Sequence, residues 1–347
     1  GAVTVEGRTG STNWDAGVYL SGNFTLSASG GVTIDGRSEG AGANGAGVSL
    51  QENWGGEDKS LISGSGSLTI RGKSAGGVTV STTGGSITLT EAAGHPGAVN
   101  IAFSTVENSR SDGNAIKIKG TGDLTFSGVK IYNSEVHAGG LLEIRGQSAS
   151  GVGVNISKDE CALGCETLSG KSVDILAHSQ AHGNALIIEG ETVRATDGTL
   201  RIKAEGGRML LQGTSQIENT GTGGIDLHAT GSYGDEYPGI VIGNEAFVGN
   251  VSGGSGEIRL RADRIELDGT VSSGAEARTM ILPDTTSKKI TLGGSTKNDG
   301  LNLQQAELDR ITAKTLVIGG GDYSGGIAIK GAVVLNPAQI EGLSLIN

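Results

Sequence analysis

Short apolar triplets bounded by glycine recur along the whole sequence and restrict the folds that it can adopt. Two aliphatic residues flank a middle residue in each triplet, as in Val32-Thr-Ile34, Leu142-Glu-Ile144 and Ile258-Arg-Leu260. A period of two is typical of a strand with one buried face. The middle positions are mostly polar, which predicts that they face solvent. The pattern therefore predicts many short strands, each with its aliphatic residues turned towards a common core.

Longer segments of the sequence also repeat, in addition to the short triplets. Asn44, Asn114 and Asn184 begin similar stretches, each 70 positions after the last, and the heptapeptide at 68–74 returns in similar form at 142–148. Self-similarity of this kind predicts a stacked array. Short strands bury a core when coils of about 20 residues stack at about 4.8 Å and pair each strand with its copy in the next coil. We therefore predict an all-β chain that forms a right-handed parallel β-helix.

The predicted β-helix is continuous over residues 1–347, because no stretch is rich in proline or in one sign of charge. Loop excursions that break the repeat are expected near 51–60, 158–170 and 231–238. The one amphipathic helix candidate is 304–313. A β-sandwich or barrel is the rival fold, but it predicts frequent Asn-Gly or Asp-Gly turns, which are few here. With 63 glycines and only 3% aromatic residues, the chain favours glycine corners around an aliphatic core.

The net charge of −11 disfavours nucleic acid and anionic membrane surfaces as partners, because both attract basic patches. Membrane insertion is not expected, since no apolar run approaches the roughly 18–20 residues of a spanning helix. The two cysteines, Cys161 and Cys165, have no further Cys or His at the spacing of a zinc site. We expect a local disulfide that clamps a loop, with free thiols or a metal site as the alternatives.

The segment from Gly300 to Gly320 carries a family resemblance. Its sequence is Gly-Leu-Asn-Leu-Gln-Gln-Ala-Glu-Leu-Asp-Arg-Ile-Thr-Ala-Lys-Thr-Leu-Val-Ile-Gly-Gly. Together with the glycine-closed triplets, it resembles the repeat region of filamentous haemagglutinin-type exoproteins of Gram-negative two-partner secretion systems. The resemblance implies a secreted fragment of a large adhesin or biofilm-matrix protein on the bacterial cell surface.

The same resemblance implies two kinds of partner. One is an extracellular polysaccharide or a host glycan or protein, and the other is the outer-membrane transporter of the secretion system. The transporter would be addressed through a region that this chain lacks, since its single Asn-Pro pair, Asn336-Pro337, is followed by alanine. Virulence-related attachment as a rigid rod is the leading functional prediction. A module that binds a host haem-carrying protein is the alternative.

A polysaccharide-cleaving enzyme is a further alternative, because pectin-degrading enzymes share the β-helix fold. Arg201-Ile-Lys203 matches one of their motifs, but no adjacent Asp pair accompanies it. An inverting hydrolase needs converging carboxylates, so we predict no enzyme activity, no catalytic residue and no cofactor. His178 and His182 lie four apart without a helix to align them, and calcium-binding glycine-aspartate repeats are absent. No metal site is expected.

Ligand binding is predicted at aromatic residues in the loop excursions, where rings offer contact area at low entropic cost. The candidates are Trp14, Trp54, Tyr233 and Tyr237. Trp14 has a second interpretation, as a side chain that seals the amino-terminal end of the stack. Glycosylation is a further possibility at Asn23, Asn155 and Asn250, each the first residue of an Asn-x-Ser/Thr triplet.

Overall fold

The computed structural model describes most of the chain outside the longer loops. The described residues are 1–9, 18–21, 25–29, 31–38, 48–51, 60–64, 67–71, 73–76, 78–82, 87–90, 99–102, 105–122, 127–132, 134–158, 167–180, 183–230, 237–294 and 300–347. They separate into two compact units, Gly1–Lys171 and Ser172–Asn347, called unit 1 and unit 2. Among these residues, no helix has the length and apolar character needed to cross a membrane.

Unit 1 is built of short strands. They are β1 (Val3–Thr9), β2 (Val18–Ser21), β3 (Thr25–Ser27), β4 (Val32–Ser38), β5 (Val48–Gln51), β6 (Ser60–Gly64), β7 (Leu68–Arg71), β8 (Lys73–Gly76), β9 (Val78–Thr82), β10 (Ile87–Thr90), β11 (Val99–Ala102), β12 (Thr105–Asn108), β13 (Asn114–Gly122), β14 (Val129–Tyr132), β15 (Glu135–Ser148) and β16 (Val154–Ser157).

These strands pair in three parallel ladders, and each ladder takes one strand from every coil. Ladder 1 runs β1, β4, β7, β10, β13 and the second half of β15. Ladder 2 runs β2, β5, β8, β11, β14 and β16. Ladder 3 runs β3, β6, β9, β12 and the first half of β15. Three parallel ladders that repeat coil by coil define a parallel β-helix.

Unit 2 contains the remaining strands and one short helix; β17 (Thr167–Ser179) crosses the boundary between the units. The others are β18 (Asn184–Glu189), β19 (Thr192–Ala195), β20 (Leu200–Glu205), β21 (Arg208–Gln212), β22 (Gln216–Asn219), β23 (Ile225–Thr230), β24 (Ile240–Ile242), β25 (Phe247–Asn250), β26 (Ile258–Arg261), β27 (Ile265–Leu267), β28 (Thr270–Leu282), β29 (Ile290–Leu292), β30 (Leu301–Leu303), α1 (Gln305–Leu308), β31 (Ile311–Gly319), β32 (Ile327–Ile329) and β33 (Ile340–Ile346).

The same three ladders recur in unit 2. Ladder 1 runs β17, β20, β23, β26, β28, β31 and β33. Ladder 2 runs β18, β21, β24 and β27. Ladder 3 runs β19, β22, β25, β28, β31 and the start of β33. Strand β29 pairs in parallel with both β30 and β32. The predicted β-helix class is therefore confirmed.

Coils are longer and less regular than the sequence rhythm indicates. Val3 pairs with Val32 and Val32 with Leu68, so these coils take 29 and 36 residues, whereas Leu68 pairs with Ile87 after only 19. The expected value of about 20 holds for few coils, such as this one and the coil of 21 residues between Ile258 and Thr279. The ladders fix which residues stack, and the corners between strands absorb the difference in length.

Aliphatic columns form the core, as the triplets predict. Ile116, Ile118, Leu142 and Ile144 are fully buried in ladder 1 of unit 1, where Ile116 pairs with Leu142 and Ile118 with Ile144. Burial of one such side chain stabilises the fold by about 1.5–3 kcal/mol. Ladder pairing and apolar burial thus act on the same residues in these coils.

Buried asparagines at the ends of ladder 3 strands form hydrogen bonds with backbone groups at the corners between strands. Asn219 Nδ2 donates to the Gly198 carbonyl at 2.8 Å, while its Oδ1 accepts from the Gly221 N–H at 2.8 Å. Asn108 does the same at its corner, with bonds to the Ala115 carbonyl and the Arg110 N–H. These side chains supply hydrogen bonds where the ladder pairing stops.

The amphipathic segment at 304–313 forms a shorter helix than predicted. Helix α1 spans only four residues, Gln305–Leu308, and β31 begins at Ile311. The prediction was too long because Ile311-Thr-Ala313 also has the period of a strand, and Ala313 pairs with Ile340 in ladder 3. Tertiary pairing outweighs the local helical preference here.

Candidate functional site

Tyr237 is the one predicted ligand-binding residue that the described part of the chain contains. Tyr237 lies three residues before the start of β24, and it is 42% exposed. Trp14, Trp54 and Tyr233 lie outside the described residues, as do Cys161, Cys165, Asn23 and most of each predicted loop excursion. The site is therefore built from Tyr237 outward.

Arg208 lies against the ring of Tyr237. The guanidinium carbon is 5.8 Å from the ring centroid, within the range of a cation–π contact worth about 0.5–1 kcal/mol at an exposed site. Arg208 begins β21 and pairs with Asn184 at the start of β18. Its Nε donates to Asn184 Oδ1, which fixes the guanidinium plane. No carboxylate within the described residues forms a salt bridge with Arg208.

An aliphatic row lies beside this pair on the outer face of ladder 2. We use the term for Ile187, Leu210 and Val241, the middle residues of β18, β21 and β24. Ile187 pairs with Leu210 and Leu210 with Val241. Their neighbours along each strand are fully buried, whereas these three are half-buried. They therefore face outward, at positions where the other ladders mostly carry Thr, Asp, Lys or Arg.

A small cleft lies where the aliphatic row ends. Val241 pairs with Glu266, which lines the cleft together with Pro238 and Glu307. The cleft volume is about 40 Å³, room for a few water molecules but too little for a sugar ring. Its walls mix carboxylate, amide and apolar groups. The cleft can hold a small polar group that projects from a larger ligand.

Glu307 in the cleft wall has a structural task. Its Oε2 accepts from the Gln304 N–H at 2.8 Å and its Oε1 from the Leu267 N–H at 3.3 Å. Burial raises the pKa of the Glu307 carboxyl above its ordinary value, and the charges of Asp268 and Glu266 raise it further, against the lowering by the two N–H donors. Both oxygens are thus committed to holding the start of α1 against β27.

Arg201 and Lys203, whose triplet matches a motif of pectin-degrading enzymes, lie on the outer wall of β20. Arg201 Nε lies 3.9 Å from Asp226 Oδ2 on the neighbouring strand, and Lys203 Nζ lies 2.6 Å from Glu205 Oε1. The Arg201–Asp226 pair crosses strands, as is typical of a solvated β wall, whereas Lys203 and Glu205 lie two positions apart on β20. His178 lies 3.8 Å from Glu205, and His182, four positions later, is outside the described residues. The described chain contains no group of three or more potential metal ligands.

Two of the three candidate glycosylation residues are described. Asn155 faces outward on β16 and is half-buried, with Oδ1 enclosed and without a hydrogen-bond partner. Asn250 donates from Nδ2 to the Gly256 carbonyl at 2.6 Å and to the Ser273 carbonyl at 3.0 Å. A glycan on Asn250 would have to displace both corner hydrogen bonds, because Nδ2 is the atom that it modifies.

Sequence reasoning missed the aliphatic row and a second aromatic pair. The row was visible as triplets whose middle residue is also aliphatic, Leu186-Ile-Ile188, Met209-Leu-Leu211 and Ile240-Val-Ile242. The second pair is Lys130 and Tyr132 on β14 of unit 1, with the ammonium 5.3 Å from the ring centroid. It went unnoticed because neither residue breaks the repeat.

Comparisons with protein-family models, with characterised proteins and with solved structures find no match to this chain. The function of the site is therefore argued from its own residues.

Proposed function

We propose that this chain is a rod-like segment of a secreted bacterial surface adhesin or biofilm-matrix protein, which attaches to cells, host tissue or extracellular polysaccharide. The observation that supports the proposal is the in-register stacking of parallel strands, which leaves an ordered outer wall of side chains in each unit. A wall of this kind repeats a surface coil by coil and so offers extended contact. The two-partner secretion route and its outer-membrane transporter belong to the same proposal.

Polar and charged residues on the outer wall suit an adhesive surface that stays soluble. Ladder 1 of unit 2 presents Asp174, Arg201, Asp226 and Arg259 in register on successive coils. Alternating signs pair along the wall, so no large field of one sign builds up there. Attachment through such a wall would draw on many weak contacts, whose combined strength grows with the number of coils engaged.

A binding array with the purified chain tests the proposal. The array should hold glycans, matrix polysaccharides and host extracellular proteins, and adhesion of chain-coated beads to cells would be measured alongside. Saturable binding in either format supports the adhesive role. Absence of binding above that of a matched acidic control protein in both formats would contradict it.

A second candidate function is a module that binds one host protein, such as a haem carrier. The exposed ring of Tyr237, held by Arg208, favours it, because Tyr and Arg are enriched among residues that dominate binding energy. Alanine replacement of Trp54, Tyr233 and Tyr237 separates the two candidates. A module would lose its binding, whereas diffuse adhesion along the wall would remain nearly unchanged. Tyr132→Ala in unit 1 is the matched aromatic control.

A further inference from the structure

The aliphatic row is an exception to the chemistry of the outer walls. Ile187, Leu210 and Val241 follow one another on three successive coils. Within the described residues, no other outward row carries aliphatic side chains on three coils in succession. A solvated wall gains nothing from three such residues in line, whereas interaction surfaces commonly contain apolar rows with a polar rim.

The groups that border the aliphatic row differ between its side and its end. One side carries Arg208 and Tyr237, which contact each other across 5.8 Å. The row ends at Glu266 beside the small cleft. A cation and an exposed ring on the rim of an apolar row favour a protein ligand that brings aliphatic groups and a carboxylate. A sugar would be served by more aromatic rings or hydrogen-bonding groups than this row offers.

The spacing of the row matches one kind of protein segment. Neighbouring strands of a ladder lie about 4.8 Å apart, so the three side chains follow each other at about that interval. One turn of an α-helix advances about 5.4 Å. Aliphatic residues at i, i+4 and i+7 of a helix that lies along the stacking direction therefore meet the row nearly one to one. Alternate residues of an extended strand are about 6.7 Å apart, which differs more from the roughly 4.8 Å spacing of the row.

We propose that the aliphatic row is a docking surface for an amphipathic α-helix of a partner protein, with the apolar stripe of the helix over Ile187, Leu210 and Val241 and a flanking carboxylate against Arg208. The proposal rests on the adhesive function above and names the chemistry of one partner. Tyr237 closes the side of the row, and the cleft beyond Val241 receives a polar side chain from the end of the helix.

Three synthetic 18-residue helical peptides test the proposal. The acidic peptide has leucines in one stripe flanked by glutamates, the basic peptide has lysines in place of those glutamates, and the scrambled peptide distributes the same leucines and glutamates around the helix. Binding to the full chain is measured by fluorescence anisotropy. We expect the acidic peptide to bind at least about tenfold more tightly than the other two, which corresponds to about 1.4 kcal/mol.

Substitutions locate the binding on the row. Leu210→Thr should weaken the acidic peptide about tenfold or more, and it should fold normally because threonine faces outward at Thr33 and Thr69 in unit 1. Arg208→Gln should bring the affinities for the acidic and basic peptides close together. Lys203→Thr, on an outward row of ladder 1, is the matched control and should leave all three affinities unchanged. Melting temperatures of the variants verify that each is folded.

Each outcome decides the proposal. Equal binding of the acidic and scrambled peptides, or full binding by Leu210→Thr, would overturn it. Binding of polygalacturonate that Leu210→Thr abolishes, without peptide binding, would overturn the helix as occupant. If the wild type binds in the array but does not prefer the acidic peptide, the adhesive function survives and the docking surface does not. If the acidic peptide binds but nothing in the array does, the docking surface is supported and the adhesive function is contradicted.

Discussion

Arg194 donates from both Nε and Nη2 to a single oxygen of Glu218 on the neighbouring coil, at 2.8 and 2.7 Å. The two residues are register partners in ladder 3 of unit 2. The Glu218 side chain is only 7% exposed, whereas that of Arg194 is 39% exposed. Glu218 is thus less exposed than the carboxylates of the other described ion pairs, such as Glu143 at 14% and Asp226 at 31%.

Arg194→Ala should lower the free energy of unfolding of unit 2 by about 1–3 kcal/mol, because it leaves the buried Glu218 carboxylate without its donor, while the lost guanidinium was 39% exposed and partly screened by water. Urea denaturation measures the loss. Arg201→Ala is the matched control, since Arg201 is 60% exposed and lies 3.9 Å from Asp226; its effect should stay below about 1 kcal/mol. Equal effects of the two substitutions would show that burial of Glu218 does not govern the pair.

Asn219→Ala should destabilise the corner between β22 and β23. It leaves the Gly198 carbonyl and the Gly221 N–H without their side-chain partner, at a cost of about 1–3 kcal/mol for each buried group that water cannot reach. Hydrogen exchange should show faster opening of β22 and β23 than of β20. Gln216→Ala, at an exposed position on the same strand, should leave exchange rates unchanged.

Tyr323→Phe should destabilise unit 2 by about 1–3 kcal/mol at neutral pH. The hydroxyl of the buried Tyr323 donates to the Lys288 and Gly326 carbonyls, which would lose this donor. Thermal unfolding followed by circular dichroism measures the change. A variant as stable as the wild type would mean that water replaces the hydroxyl at both carbonyls.

The effect of Tyr323→Phe should also depend on pH. Burial raises the pKa of the Tyr323 hydroxyl in the folded chain above its ordinary value of about 10. Above that pH the unfolded chain loses this proton first, so the wild type loses stability relative to the variant as the pH rises. The difference in melting temperature between the two should therefore shrink between pH 9 and pH 11.

Glu307→Gln should change stability in a pH-dependent way. The raised pKa of Glu307 means that the folded chain holds this proton more tightly than the unfolded chain. The contribution of the group is therefore most favourable at low pH and falls as pH rises through the ordinary and then the raised pKa. The melting temperature of the wild type minus that of Glu307→Gln should be larger at pH 4 than at pH 8. A difference that grows with pH would contradict the role of burial.

The period of two in the triplets was enough to predict the strands and the buried columns, whereas the parallel stacking was predicted from the longer repeats. Leu142-Glu-Ile144 lies in a ladder with both aliphatic residues buried, as its pattern predicts. The length of each coil could not be predicted, because corners such as those between Val32 and Leu68 vary without changing the pairing. The sequence indicated Tyr237 as a break in the repeat. Its contact with Arg208, almost 30 positions earlier, depends on which coils become neighbours.

Ladder pairing also determines how unit 2 would respond to force. In the described part of unit 2, β33 pairs with β31, and β31 in turn with β28. A pull that peels β33 away along the stack therefore breaks one coil before it loads the next. Thr279 pairs with Leu316 and Leu316 with Leu343, so these coils contain 37 and 27 residues. Each coil would release a chain length of about 90–130 Å when it unfolds. In an optical trap the unit would therefore lengthen in successive steps and dissipate the applied force coil by coil.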